Sequence, residues 1–227
     1  MITIKKDFVY PTIRRETKEN GERTYFPDGS KPVASVTTIL SALKDMKTLD
    51  AWRDRVGDEE ATRIVNESTL IGTHLHSNLE NYILANNKPK TGPLISKLMT
   101  DIIIKNGLKN VSEVWGIEAP LFVKDLHAGT TDLVGVHDNQ AAIMDFKNSK
   151  KAKKEEHLEE YYLQLSAYII SHDHMFGTNM KRGVIMMATR DCKYIEVILE
   201  GKKLEDYKTK WHKKVEEYYR RFGHLHS

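Results

Sequence analysis

Cysteine is the scarcest functional residue in the 227-residue chain, with Cys192 alone. One cysteine excludes an internal disulfide, a four-cysteine iron–sulfur cluster and a cysteine-rich zinc site, so the chemistry must rest on carboxylate, histidine or lysine side chains. No apolar run approaches the ~20 residues of a membrane span. The opening "MITIKKDFVY" lacks the charged-then-apolar layout of a secretory signal. We therefore expect a cytoplasmic protein with no membrane partner. There is no internal repeat and no low-complexity tract, and without a P-loop no nucleotide cofactor is expected. The net charge is only +3, so the overall balance says little about partners.

What is present is enough apolar material, 40% of the residues, for a real core in one large domain. Residues 1–34 read as a short-stranded or irregular arm, ended by the turn-rich "YFPDGSKP", and residues 35–227 read as a single domain. "SVTTILSAL" opens a helix. Thr48 to Asn66 is polar and helical, and Gly72 to Leu84 repeats Leu75, Leu79 and Ile83 at helix spacing. "NNKPKTGP" breaks that pattern before another helix, Leu94 to Lys105. "VSEVWGIEAPLFVKDLHAG" reads as two strands. After a helix over Glu155 to Ile170 come strands at Gly183 to Ala188 and Tyr194 to Leu199, then an amphipathic helix from Leu204 to Phe222. This order predicts an α/β fold: a central mixed sheet flanked by helices, with extra N-terminal helices and a C-terminal helix.

The most informative stretch is "TTDLVGVHDNQAAIMDFKNSKK", Thr130 to Lys151. Two apolar, β-branched runs flank His137 to Gln140, which is a hairpin signature. With the turn centred on Asp138 and Asn139, pairing back residue by residue puts Asp132 opposite Asp145. Alternation places Asp132, Val134, Ile143, Asp145 and Lys147 on one face and Leu133, Met144 and Phe146 on the other. Both faces are apolar, so an ionised carboxylate here is costly unless paired or metal-bound. Facing carboxylates also repel by roughly 0.2–1 kcal/mol, so neutralising Asp132 is expected to raise stability. Lys147 or a divalent cation would offset the repulsion.

Other charged and polar features are less specific. "KNSKKAKK" concentrates Lys147, Lys150, Lys151, Lys153 and Lys154 just after the hairpin. Gln164 and Tyr168 share a helix face with Tyr161 and Leu165. "HDH" at His172 to His174 reads as surface residues, because histidines at i, i+2 on a helix end point apart. The "KTKWHKKVEEYYRRF" segment mixes lysine with aromatics, as single-strand binding surfaces do, but helical packing of Trp211, Val215, Tyr218 and Phe222 explains it equally well.

Four short motifs, in order, resemble the PD-(D/E)XK nuclease superfamily in its RecB-type branch, which includes mitochondrial genome maintenance exonucleases and phage exonucleases. They are "GTHLH" at Gly72 to His76, "GTTD" at Gly129 to Asp132, "DFK" at Asp145 to Lys147 and "QLSAY" at Gln164 to Tyr168. The resemblance implies a restriction-endonuclease-like core and a metal-dependent DNA exonuclease acting on single-stranded ends, in replication, recombination or repair. It implies that Asp132 and Asp145 hold Mg²⁺ or Mn²⁺ with the Phe146 carbonyl, that His76 adds a ligand or a phosphate contact, and that Glu118 supports a second ion. Lys147 would orient water or neutralise developing phosphorane charge. Gln164, Tyr168, Ser149, Lys150, Lys151, Lys153 and Lys154 would contact DNA. Asn148 departs from the threonine that often follows the lysine, and the missing cysteines rule out the iron–sulfur members. A structure-specific endonuclease of the same superfamily, or an inactive DNA-binding module, is the alternative.

Overall fold

A computed structural model describes residues 2–223; residues 224–227, which close the expected domain, lie outside the described part. The N-terminal segment contributes β1 (Thr3–Ile4), β2 (Arg14–Thr17), β3 (Arg23–Phe26) and β4 (Val33–Ala34). The last three form a small antiparallel sheet, whereas β1 joins the main sheet. Ser35 follows, and its hydroxyl accepts from Thr38 N at 2.9 Å, so it caps α1 (Val36–Ala42) in the usual serine manner. Next come α2 (Lys47–Val56), α3 (Asp58–Ile83) and α4 (Leu94–Asn106).

The polar helix expected over Thr48 to Asn66 is divided instead at Gly57, whose φ of 85° and ψ of 147° suit only glycine. Beyond it α3 runs unbroken for 26 residues. The stripe of Ile71, Leu75, Leu79 and Ile83 is buried, and this packing carries the helix through the weak formers Ser68, Thr69 and Gly72.

Six strands form the main sheet, in the order β1, β5 (Val111–Val123), β6 (His127–His137), β7 (Gln140–Ser149), β8 (Arg182–Thr189) and β9 (Tyr194–Glu200). β1 runs parallel to β5, and β7 parallel to β8, with the other neighbours antiparallel. The sheet is therefore mixed, as expected. "VSEVWGIEAPLFVKDLHAG", read as two strands, holds the first residues of β6, from His127, after the 13-residue β5. Two register shifts bend it, and Pro120 is tolerated because β1 covers only Glu113 and Val114 of this edge.

The β6–β7 turn confirms the hairpin reading. Asp138 and Asn139 take φ of 45° and 63°, the left-handed pair of a two-residue hairpin loop, and Leu133 pairs with Met144 in the register expected. Val134 and Ile143 pack in a core beneath α5 (Glu159–Phe176) and α6 (Gly201–Phe222). Leu133, Met144 and Phe146 pack with α3 and α4 on the opposite face. Trp211, Val215 and Tyr218 are buried in the first core, whereas Phe222 is 53% exposed. The "HDH" expectation is corrected at His172, which is fully buried. Its ring bonds Tyr10 OH at 3.1 Å and Thr178 Oγ1 at 2.8 Å, because the N-terminal Phe8 and Tyr10 fold over it. Among the described residues no helix is long and apolar enough to cross a membrane.

Candidate active site

The β6–β7 ladder stops at Leu133 and Met144, one pair short of the two aspartates. Beyond that point the Phe146 amide donates to Asp132 Oδ2 at 2.6 Å, so a carboxylate replaces the next ladder bond. Asp145 turns to the same face as Lys147, whose Nζ lies 2.5 Å from its Oδ2. The Lys147 ammonium is the donor and the cation that this buried carboxylate oxygen faces. Such an atom is costly in a dry site unless a cation completes it.

Two further segments reach this point. From α3, His76 Nδ1 sits 3.2 Å from Asp132 Oδ1, and its ring meets the Phe146 ring edge-on at 6.2 Å. Gly72 lets α3 approach so closely: a Cβ there would stand 3.0 Å from Asn148 Oδ1. Asn148, the departure from the usual threonine, donates to Ser68 O at 3.1 Å and so ties α3 to β7. From β5, Glu118 is flanked by the pairs Ile117–Leu133 and Ala119–Thr131, which places it beside Asp132. Its φ of 45° is unusual for a non-glycine residue, and strain of this kind concentrates at functional sites.

His76, Glu118, Asp132, Asp145, Lys147, Gln164 and Tyr168 line one cleft of about 390 Å³. Gln164 Nε2 donates to Tyr168 OH at 3.3 Å. Gly129 makes room for that tyrosine, since a Cβ there would meet its ring at 2.7 Å. Ser149, Lys150, Lys151, Lys153 and Lys154 do not line the cleft. The Ser149 hydroxyl turns to Lys151 O at 2.7 Å, and the four lysines are exposed. Sequence reasoning missed Arg15 and Arg23, which line the cleft from β2 and β3. Tyr25 OH meets Thr130 Oγ1 at 3.2 Å, seating the small sheet against β6. Nothing local in "RRET" or "ERTY" marks these arginines.

Charge in the cleft is strongly coupled. Burial disfavours the His76 imidazolium, but the charge and hydrogen bond of Asp132 outweigh it and raise the pKa from 6.5 to about 9. Burial would raise Asp132, yet His76, then Lys147 and the Phe146 amide, hold it below the ordinary carboxylate range. Burial pushes Asp145 up, only partly countered by Lys147 and reinforced by Asp132. Lys147 stays firmly charged: burial opposes its ammonium, but Asp145 and Asp132 raise its pKa. Glu118 opens to solvent on one side, yet lost hydration in the cleft and the Asp132 charge raise it from 4.5 to about 7.

His76, Glu118 and Asp132 bring one ligand atom each to within 4.8 Å of one another. Carboxylates with one imidazole suit Mg²⁺ or Mn²⁺ better than softer ions. Asp145 lines the same cleft beside this set of three, with its Oδ2 turned to Lys147. A pH effect follows for the metal-free protein. Glu118 and His76 hold protons more tightly folded than unfolded, so their stabilisation is present at low pH and is lost as pH rises. For Glu118 the loss runs from 4.5 to about 7, and for His76 from 6.5 to about 9. Melting temperature in chelator should therefore fall between pH of about 6 and 9, and the increment on adding Mn²⁺ should grow over the same range. A flat or rising profile in chelator would contradict the arrangement, and His76→Ala should remove the upper part of the slope.

No family model matches the chain, and no curated protein matches it. Among solved structures, a Eubacterium rectale protein provisionally named an exonuclease superposes with a TM-score of 0.49 at 15% identity, over 68% of this chain and 65% of its own. The chain thus spans just under two thirds of that structure's length. The structure of SSO0001 superposes with a TM-score of 0.43 at 14% identity, over 82% of this chain and 75% of its own. At such distance no chemistry carries over from either, and the site must be judged on its own geometry.

Proposed function

We propose that the chain is a metal-dependent deoxyribonuclease of the PD-(D/E)XK type that hydrolyses phosphodiester bonds from DNA ends, preferring single-stranded ends. The observation that carries this reading is the meeting of His76, Glu118, Asp132, Asp145 and Lys147, from α3, β5, β6 and β7, in one cleft. Two buried carboxylates facing a half-buried ammonium and an imidazole do not assemble for stability alone, because each group costs solvation free energy.

The donor set fits a hard divalent ion held by Asp132, His76 and Glu118 with Asp145 beside them. Such an ion, when bound, supplies Lewis-acid polarisation of the phosphate. The chain's own residues do the rest. Asp145 positions the Lys147 ammonium, and the Tyr161 ring stands 5.3 Å from its Nζ, leaving a fixed positive charge where negative charge grows at phosphorus. Arg15 and Arg23 are placed to hold flanking phosphates, and Gln164 and Tyr168 bound the cleft from α5.

The test uses end-labelled linear single-stranded DNA beside closed circular single-stranded DNA, with Mg²⁺ or Mn²⁺ and with EDTA. Linear DNA should be shortened from its ends only in the presence of metal, and circles should persist. Cut circles would make the protein an endonuclease, cleavage in EDTA would remove the metal, and intact linear DNA in every buffer would end the nuclease reading.

A further inference from the structure

A second cleft, of about 980 Å³, is used by nothing described so far. It lies between the loop after α1, with Lys44 and Asp45, the helix α2, with Lys47, Trp52 and Arg55, and the segment after β7, with Lys153 and His157. In α2, no residue of described exposure is buried: Leu49, Trp52 and Val56 are half-buried and the others exposed. An amphipathic helix gains its stability from burying its apolar stripe, and here Leu49 and Trp52 of that stripe line the cleft.

The walls are cationic and largely uncompensated. Lys44 is paired with Glu160 at 2.8 Å. Among the described residues, no carboxylate lies within ion-pair reach of Lys47, Arg55 or Lys153. The one acid in the cleft, Asp45, spends its Oδ1 on the Lys47 backbone amide at 3.0 Å. The cleft also adjoins the candidate active site. The Tyr161 ring lies 5.3 Å from Lys147 Nζ and 4.6 Å from Lys153 Nζ. Lys147 lines the first cleft and Lys153 the second.

We propose that the second cleft guides single-stranded DNA to the active site, with Trp52 as a platform on which a base stacks and Lys47, Arg55 and Lys153 holding phosphates; this rests on the nuclease reading above. Uncompensated cations around an aromatic call for a polyanion that carries flat apolar faces, which is what an unpaired strand offers. Duplex DNA keeps its base faces stacked inside and cannot reach an indole in this way. An acidic protein segment would match the charge but would not need an aromatic ring among the cations.

The test compares Trp52→Ala, Trp52→Phe and the double variant Lys47→Glu/Arg55→Glu for binding of labelled oligothymidylate and of a duplex of the same length. Ca²⁺ replaces Mg²⁺, so binding is read whether or not the protein cleaves. Trp52→Ala should weaken single-strand binding about tenfold, Trp52→Phe should restore most of it, and duplex binding should change little. The charge-reversal variant should flatten the dependence of affinity on salt by more than one phosphate's share, about 0.7 in log–log slope for each contact. With Trp52 half-buried, all variants should melt like the parent; if Trp52→Ala does not fold, the salt slope decides alone. Unchanged single-strand affinity and slope would overturn the proposal, as would Trp52→Phe behaving like Trp52→Ala, or variants altering only self-association of the chain. Groove-dependent binding by a parent that never cleaves would instead overturn the nuclease reading and leave the groove.

Discussion

Lys147→Ala is expected to lower the single-turnover cleavage rate about 10²-fold or more while DNA affinity changes only a few-fold. Asp145 holds the ammonium at 2.5 Å, and Asp145 and Asp132 keep it charged despite burial. A pre-placed charge stabilises negative charge that exists only while phosphorus is attacked, so its loss appears in the rate. In binding it is one cation among several, with Arg15 and Arg23 in the same cleft. The measurement is single-turnover cleavage at saturating DNA, paired with the dissociation constant in Ca²⁺. A variant that cleaves normally once saturated would reduce Lys147 to a binding residue and remove the centre of the proposed mechanism.

The second large effect is at Asp132. Asp132→Asn should reduce metal-dependent cleavage on the order of 10³-fold, since it removes a charged ligand from the donor set of His76, Glu118 and Asp132. Its effect on stability reverses the expectation drawn from the sequence. Two facing carboxylates with no other partner would repel, and neutralising one would help. In the folded chain Asp132 accepts the Phe146 amide at 2.6 Å and pairs with a His76 whose pKa is raised to about 9. Asparagine can keep the amide bond but not the ion pair, so the metal-free variant should lose about 1–2 kcal/mol near neutral pH, read as a lower melting temperature. A higher melting temperature would show that repulsion between the aspartates outweighs both partners. The same loss should vanish well above pH 9, where His76 is neutral in both proteins.

How far the sequence could be read depends on the distance over which each feature is specified. The β6–β7 hairpin is local: Asp138 and Asn139 tolerate the left-handed turn, and alternation then dictates that Asp132, Asp145 and Lys147 share a face. The amphipathic α6 and the stripe of α3 were equally legible, because a helix repeats its buried face every turn. Where adjacent signals compete, the reading failed. The break at Gly57 was set by a backbone conformation open to glycine, and the unbroken run of α3 beyond it by burial of Ile71, Leu75 and Leu79 against the sheet. His172 was misread as a surface residue because the aromatic cover comes from Phe8 and Tyr10, more than 160 residues away along the chain. The resemblance to known nuclease motifs named His76 and Glu118 as candidates, but only tertiary packing brings one ligand atom of each to within 4.8 Å of Asp132. Arg15 and Arg23 had no signal at all. Their place in the cleft comes from docking a small sheet onto β6 through contacts such as Tyr25 with Thr130. Periodicity and turn chemistry act over a few residues and are written in composition. A charge's partner, and hence whether it repels, pairs or binds, is set by segments that meet only after the chain has folded.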